Sequence, residues 1–293
     1  MLATLAPAPG GGSTKPSRII DAHVHLWDPI VLAYPWLEAG TELRRTFLPA
    51  DLPQSAGGWV VVQADARHDL DLAELEWTAG LAASDQNLRG MVVRAPVEIG
   101  RAVSQQLEQL VVHRFTVGVR RLIQDEPVGF ARGASFIDGV RTVGQFGLPF
   151  DVCVRAAERA DVVPLIDACP DVSFVLDHLG KPDIARGEWE PWRGQLTELA
   201  RRPNVVCKLS GSTSEAGPGW QEDTVRPYLE HALESFGADR CMFGSDWPVA
   251  TLTTEYSRWL DLVTNLVAGC SDADIDAVFA GTAERVYGIS AHA

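Results

Sequence analysis

The sequence predicts an α/β protein folded as a single-domain (β/α)8 TIM barrel with a long loop after the first strand. Eight short runs rich in β-branched residues begin 24 to 40 residues apart, close to the roughly 30 residues that a strand and its crossover helix need. Stretches with apolar residues at helical spacing separate these runs. An open, doubly wound sheet uses the same units and is the alternative, although no G-x-G-x-x-G follows the first run.

The predicted strands are nearly continuous apolar runs such as VVVQA, MVVRA and FVLDH, which is typical of parallel strands covered on both faces. We place these strands at residues 19–25, 59–64, 88–94, 117–122, 149–154, 173–178, 205–209 and 241–244. Helices are predicted at 70–83, 103–112, 136–145, 160–168, 192–200, 225–236 and 256–267, with further helical turns at 272–280 and 282–287.

Two segments fall outside this alternation. Residues 26–58 are rich in proline and aromatic residues. Because loops after barrel strands build the binding site, we expect this segment to form one of its walls. Residues 1–18 are rich in Ala, Pro and Gly and are expected to form a disordered tail, which leaves 19–293 for the barrel.

The composition disfavours several classes of protein. The 293 residues carry 25 basic and 39 acidic side chains, a net charge of −14. A field of that sign repels phosphate backbones, so we expect no nucleic-acid or membrane partner, although a small anion in a locally basic pocket stays compatible. There is no apolar run of about 18 residues and no secretory signal, which favours a cytoplasmic protein. The five cysteines lack a CxxC pair, which disfavours a disulfide scaffold or zinc ribbon.

Three predicted strand ends carry residues suited to catalysis. His23 and His25 lie two apart at the end of the first strand, so alternation places both imidazoles on one face, with Asp21 deeper on that face. His178 ends the sixth strand and Asp246 follows the eighth. A packed core histidine and a helix cap are the structural alternatives for these two. Because the carboxyl ends of barrel strands meet at one face, we expect the histidines and Asp246 to converge there.

The order of the motifs resembles a known family. The segments DAHVHLWDP, YPWL, GVRRLIQ, LPFDVCV, FVLDHLGKPDI, VVCKLSG and MFGSDWPV resemble the amidohydrolase superfamily, and more narrowly its branch of sugar-lactone and related lactone hydrolases. That branch includes L-fucono-1,5-lactonases and is similar to 2-pyrone-4,6-dicarboxylate lactonase. The resemblance spans nearly the whole chain after the tail. It implies a hydrolase that opens the ring ester of a sugar-acid lactone.

The resemblance also implies roles for the four clustered residues. Asp246 would accept a proton from the attacking water, while His23, His25 and His178 would bind a divalent metal or polarise the substrate carbonyl directly. The fourth and fifth strands read VGVRRLI and LPFDVCV, without the ligands that a second metal needs in binuclear members. We therefore expect at most one metal, preferably zinc, on His23, His25 and Asp246, with His178 nearby or ligating. A metal-independent site stays open as the alternative.

Residues at other strand ends and in the long loop are candidates for substrate binding, because basic groups bind hydroxyl or carboxylate groups and aromatic rings can stack on a sugar. The hydroxyl-rich stretch 210–215 contains no G-x-S-x-G and is predicted to be a loop lining the pocket. The candidates for substrate binding are Trp27, Trp36, Gln63, Arg94, Arg121, Lys181 and Lys208.

Two rival functions stay open at the level of sequence. One is decarboxylation or hydration of an unsaturated or aromatic acid on the same barrel, and the other is a non-catalytic barrel that binds a ligand. The expected partner is a small-molecule lactone. A homo-oligomer is compatible with the sequence, which carries no marker for one.

Overall fold

The computed structural model describes residues 15–289 and contains an eight-stranded parallel sheet in the order β1 to β8. Past the strand ends, the Asp246 amide donates to the His23 carbonyl at 2.8 Å and the His25 amide donates to the Trp247 carbonyl at 2.7 Å. These contacts join β8 to β1, so the sheet closes and the predicted (β/α)8 barrel is confirmed. The strands are β1 Ile20–Val24, β2 Gly58–Val62, β3 Leu88–Val93, β4 Thr116–Arg120, β5 Phe150–Val152, β6 Phe174–Leu176, β7 Val205–Leu209 and β8 Cys241–Phe243.

The seven predicted crossover helices are present, with ends within three residues of those expected. A π-helical turn at Ala277–Gly281 interrupts the predicted turns at 272–280. A short helix occupies Ser212–Ala216, where we predicted a loop, because five residues are too few to show helical periodicity. The helices are α1 Asp71–Ala82, α2 Ser104–Val111, α3 Ala134–Gln145, α4 Arg159–Ala168, α5 Trp192–Ala200, α6 Ser212–Ala216, α7 Glu222–Phe236, α8 Tyr256–Val267, α9 Asp272–Asp276 and α10 Thr282–Tyr287.

The strand side chains form two apolar layers. Large side chains such as Phe150, Phe174 and Phe243 pack between the sheet and the helices. Smaller side chains such as Val62 fill the barrel interior, and Tyr287 of α10 packs against them from the amino-terminal end. Because side chains alternate along each strand, the polar residues that share the inward side are brought together within the barrel.

A bulge in β1 decides which of its polar residues face the interior. Asp21 is in register with Trp59 and Val24 is in register with Val61, so β1 has one more residue than β2 between these pairs. His23 therefore points into the barrel, whereas Asp21 lies on the outer side and accepts a hydrogen bond from the Ser245 amide at 2.9 Å. Our prediction that Asp21 shares the face of the histidines was wrong, because strict alternation does not hold across a bulge.

The loop between β1 and β2 packs over the carboxyl ends of the strands. Trp27 is fully buried in this loop, and its Nε1 donates to the carbonyls of Leu43 at 3.1 Å and Arg45 at 2.9 Å. Its ring also packs edge-on against Phe47. Trp27 therefore holds the loop together instead of facing a substrate.

The predicted amino-terminal tail falls largely on residues 1–14, which lie outside the described residues. Arg18 lies within them and pairs with Asp276 and Glu284, so contacts with the barrel begin before the predicted boundary at residue 19. Among residues 15–289, none of the helices has the length and apolar character needed to cross a membrane.

Candidate active site

A cavity of about 220 Å³ opens at the carboxyl ends of the strands. This is the face where (β/α)8 barrels place their active sites, because eight strand ends and their loops meet there. The wall comes from the ends of most strands and from the long loop after β1. The lining residues are His25, Trp36, Ala64, Asp65, Arg120, Leu122, Gln124, Cys153, His178, Lys181, Asp246 and Val249.

The structure brings together the four residues that the sequence singled out. Asp246 Oδ1 lies 3.4 Å from His25 Nε2, 3.8 Å from His23 Nε2 and 3.9 Å from His178 Nε2. All four side chains are buried or nearly so. One carboxylate oxygen is thus surrounded by three imidazole nitrogens at the base of the cavity.

The backbone at two of these residues is strained. His178 has φ of +55° and Asp246 has φ of +62°, both in the left-handed region that non-glycine residues avoid. Each such residue costs on the order of 1–3 kcal/mol and persists only where the surrounding structure holds it. Gly211 lies beside His178, and a Cβ at that glycine would lie 2.5 Å from His178 Nδ1. A glycine is therefore required where α6 begins next to the imidazole.

Each imidazole is oriented through its Nδ1 atom. His25 Nδ1 lies 2.8 Å from the Val62 carbonyl, and His178 Nδ1 lies 2.9 Å from Ser210 Oγ. His23 Nδ1 lies 3.3 Å from a carboxylate oxygen of Asp177. The Nε2 atoms of His25 and His178 are thereby turned towards Asp246, as outer contacts commonly orient functional histidines, whereas His23 Nε2 lies between Asp246 and Arg120.

Burial and charge set the ionisation of this cluster. Burial lowers the pKa of His178 to about 4, against the opposing pull of Asp246, and it lowers the pKa of His23 well below the ordinary value. Burial alone would raise the pKa of Asp246, but His178, His25 and His23 outweigh it and hold that pKa below its usual range. At neutral pH the cluster therefore contains an ionised aspartate beside neutral His23 and His178.

The donor set fits a single divalent cation. His23, His178 and Asp246 each offer a ligand atom, and these atoms lie within 4.8 Å of one another. This set contains His178 in the place that we predicted for His25. Ligands about 2.1 Å from a tetrahedral metal lie roughly 3.4 Å apart, so these atoms would have to draw closer around a bound ion. His25 also turns Nε2 towards Asp246 while the Val62 carbonyl takes its Nδ1–H, an arrangement that needs a proton or cation between nitrogen and carboxylate.

A buried layer of charged side chains lies beneath the imidazoles. Lys208 is fully buried and pairs with Asp151 at 2.6 Å and Asp177 at 3.1 Å. Arg120 donates to Asp177 at 3.1 Å, and its Nη1 lies 3.4 Å from His23 Nε2. Two cations thus balance two carboxylates, which keeps this layer formally neutral below Asp246.

Only some of the predicted substrate-binding residues lie at the cavity. Trp36 and Lys181 line the cavity, and Lys181 Nζ donates to Gln124 Oε1 at 2.6 Å. Trp27, Gln63, Arg94, Arg121 and Lys208 do not line it.

Both predicted arginines that lie outside the cavity have acidic partners. Arg94 pairs with Asp71 of α1 at 2.7 Å. Arg121 pairs with Glu98 at 3.1 Å and Glu126 at 2.6 Å. Arg120, which we did not select, reaches the cavity instead because alternation turns the two neighbours to opposite sides. Arg120 follows Gly118 by two residues, so both lie on the inward side of β4. This alternation was the signal in the sequence that would have identified Arg120.

The structure is a (β/α)8 barrel with an H-x-H pair at the end of β1, a histidine after β6 and an aspartate after β8, all converging at one face. The sequence profile of the amidohydrolase family matches residues 20–289. The chain therefore belongs to the amidohydrolase family, as its motifs indicated.

Individual relatives agree with this assignment. The chain is similar to an L-fucono-1,5-lactonase of Burkholderia multivorans, with 34% identity over 92% of this chain and 96% of the relative. It is 30% identical to an L-fucono-1,5-lactonase of Burkholderia ambifaria over 82% of this chain and 85% of the relative. A crystal structure of a Burkholderia multivorans amidohydrolase with bound zinc has a TM-score of 0.82 and 32% identity, covering 94% of this chain and 100% of that one.

Proposed function

We propose that this protein hydrolyses the ring ester of a sugar-acid lactone, with Asp246 as the base that activates water. The observation that carries the proposal is the ionised Asp246 carboxylate at the cavity base, within 3.4–3.9 Å of three Nε2 atoms. The L-fucono-1,5-lactonases among the relatives support the substrate class, since they match this chain over most of its length.

The chemistry follows from the needs of ester hydrolysis. Water is a poor nucleophile at neutral pH, so a positioned base must take its proton as the oxygen attacks the carbonyl carbon. Asp246 takes that proton, and the tetrahedral intermediate then breaks its bond to the ring oxygen. The same proton returns to the ring oxygen, which leaves as a hydroxyl. One lactone and one water thus give one hydroxy acid.

The negative charge that develops on the carbonyl oxygen needs donors that are already in place. Arg120 supplies a permanent cation at the cavity wall, held by Asp177 and by the Gln63 carbonyl at 2.7 Å. His178 Nε2 lies 3.9 Å from Asp246, and Ser210 contacts the other nitrogen of its ring. A bound divalent ion would add Lewis-acid polarisation of the carbonyl and would lower the pKa of a bound water.

The metal site makes a prediction that is independent of turnover. Zinc should bind the chelator-treated protein at one equivalent per chain, because the close set of His23, His178 and Asp246 and the close set of Cys153, Asp177 and His178 share His178. Replacing His178 by Asn should weaken zinc binding by about tenfold or more, since a nitrogen ligand is lost. Calorimetric titration with zinc alone measures this. Failure of the unaltered protein to bind zinc would contradict the assignment, and activity of verified metal-free protein would show that direct polarisation suffices.

Lys181 is expected to bind substrate hydroxyl or carbonyl oxygens, because it lines the cavity and its position is set by Gln124. Replacing Lys181 by Met should raise KM for the best lactone about tenfold and change kcat by less than threefold. A tenfold change corresponds to about 1.4 kcal/mol, the size of a hydrogen bond to a charged group. Steady-state kinetics measure both parameters, and an unchanged KM for every active lactone would exclude this role.

A panel of aldonolactones, assayed by acid release, tests the proposed function. We expect turnover of at least one six-carbon or five-carbon aldonolactone well above the spontaneous rate. Release of carbon dioxide from aromatic or unsaturated acids, without acid release from lactones, would instead support a decarboxylase on the same barrel. Binding without any turnover would support a barrel that only binds its ligand.

A further inference from the structure

We propose that Glu74 of α1 is a positioning residue for the cavity, acting through the backbone at the end of β2 on Arg120 and Trp36. Glu74 does not line the cavity and is 2% exposed. This inference rests on the proposed function for its kinetic test only, because the geometry behind it involves no substrate.

The backbone after β2 holds three cavity side chains through three successive carbonyl groups. The Val62 carbonyl lies 2.8 Å from His25 Nδ1, and the Gln63 carbonyl accepts from Arg120 at 2.7 Å. The Ala64 carbonyl accepts from Trp36 Nε1 at 2.6 Å. His25, Arg120 and Trp36 come from three different segments and all line the cavity. The path of this short backbone segment therefore sets three parts of the wall at once.

Glu74 holds the central peptide of that segment from behind. Its Oε1 accepts from the Ala64 amide at 2.8 Å in a buried contact. The Ala64 N–H and the Gln63 C=O belong to one planar trans peptide and point in opposite directions. One peptide unit thus bridges Glu74 on its outer side and Arg120 on its cavity side. Rotation of this unit would move the acceptor away from the guanidinium.

A second side chain holds the next peptide in the same way. Gln63 Oε1 accepts from the Asp65 amide at 2.6 Å, while the carbonyl of that peptide, from Ala64, accepts from Trp36. Asp65 has φ of +55°, so this segment lies in a strained conformation that needs such contacts. Gln63, which we predicted to bind substrate, therefore contributes through the backbone, since its side chain turns to the Asp65 amide.

Burial of the Glu74 carboxyl group is unfavourable, so we expect this side chain to have a role that offsets the cost. Burial raises the pKa of Glu74 to about 8, while the Ala64 amide acts in the opposite direction. This shift favours the neutral carboxylic acid at pH values below that range. Gln has nearly the same shape and keeps a carbonyl oxygen that can accept from the Ala64 amide, so Glu74→Gln is the conservative variant.

The test compares three variants at pH 7. Glu74→Leu should raise KM for the best lactone at least fivefold and lower kcat at least fivefold, because both Trp36 and Arg120 lose their fixed positions. Glu74→Gln should keep both parameters within twofold of the original. Thr142→Val is the matched control: Thr142 is buried in α3, and its hydroxyl donates to the Asp138 carbonyl of the same helix at 2.8 Å, away from Glu74 and the cavity lining. It should leave both parameters unchanged.

These kinetics separate positioning from simple loss of fold. Partial unfolding lowers the apparent kcat in proportion to the folded fraction and leaves KM unchanged. That pattern in Glu74→Leu, with the folded fraction measured by circular dichroism, would overturn the proposal. If Glu74→Leu does not fold, Gln63→Met removes the neighbouring contact, and an unchanged KM in that variant would overturn the proposal equally.

A spectroscopic measurement keeps the inference separate from the proposed function. Glu74→Leu should shift the tryptophan emission spectrum, and the shift should vanish when Trp36 is replaced by Phe in both proteins. A protein without lactone turnover would refute the proposed function but leave this comparison intact. A shift that persists without Trp36, or no shift at all, would overturn the positioning role.

Discussion

Replacement of Asp246 by Asn is expected to lower kcat for lactone hydrolysis by a factor on the order of 10²–10⁴, the usual contribution of a positioned base. Asn has the shape of Asp but cannot accept the proton of the attacking water at neutral pH. Asn also tolerates the left-handed backbone that this position requires, at φ of +62°. Steady-state kinetics measure the loss of kcat, and near-ultraviolet circular dichroism checks that the variant is folded.

Asp125→Asn is the matched control for this variant. Asp125 also has a left-handed backbone, with φ of +67°, but its exposed side chain pairs with Arg155 at 3.2 Å outside the cavity lining. The same chemical change in the same backbone region should leave kcat within twofold of the original. Near-normal turnover by a folded Asp246→Asn protein would reject Asp246 as the base.

Replacement of Lys208 by Met is expected to lower the free energy of unfolding by about 3–5 kcal/mol, the range for removing one partner of a buried ion pair. The Lys208 ammonium is fully buried between Asp151 at 2.6 Å and Asp177 at 3.1 Å. Met fills similar space but leaves two carboxylates with one remaining cation, Arg120. Denaturant unfolding at pH 8 measures the change.

The loss of stability in Lys208→Met should be smaller at pH 5 than at pH 8. Burial already raises the pKa of Asp151 to about 6, although Lys208 opposes the shift, and removing Lys208 raises that pKa further. A carboxyl group with a higher pKa in the folded than in the unfolded protein binds more protons when folded, so its destabilising effect diminishes as the pH falls. A loss of stability that grew towards pH 5 would contradict this account.

Lys181→Met provides the comparison for Lys208→Met. Lys181 lines the cavity and bonds Gln124, so its loss should change KM and leave the free energy of unfolding within about 0.5 kcal/mol. The two lysines were both predicted from sequence to bind substrate. The structure assigns Lys208 to the buried layer, and equal effects on stability from both variants would contradict that distinction.

The barrel and the main cluster could be predicted because both depend on local patterns. Strand and helix periods determine the order of the elements, and the carboxyl ends of barrel strands always meet at one face. His23, His25, His178 and Asp246 each lie at or next to such an end, so their convergence required no knowledge of side-chain contacts.

The roles of the basic residues depend on pairings between distant segments. The partners of Lys208 lie on β5 and directly after β6, and the partner of Arg94 lies on α1. Sequence spacing does not reveal such pairs. The choice of Arg121 over Arg120 followed the resemblance to the family, whereas alternation along β4 decides that Arg120 faces inward. The bulge in β1 changed the side of Asp21 in a similarly local way.

The most direct test of the account follows the oxygen of water into the product. A single turnover of an active aldonolactone in water enriched in oxygen-18, with the enzyme in excess, should give a hydroxy acid with one label in its carboxylate. Asp246 should acquire none, because it accepts a proton and forms no bond to the substrate. Label in the Asp246 carboxylate, label in the former ring oxygen, or no ring opening at all would contradict hydrolysis by water that Asp246 activates.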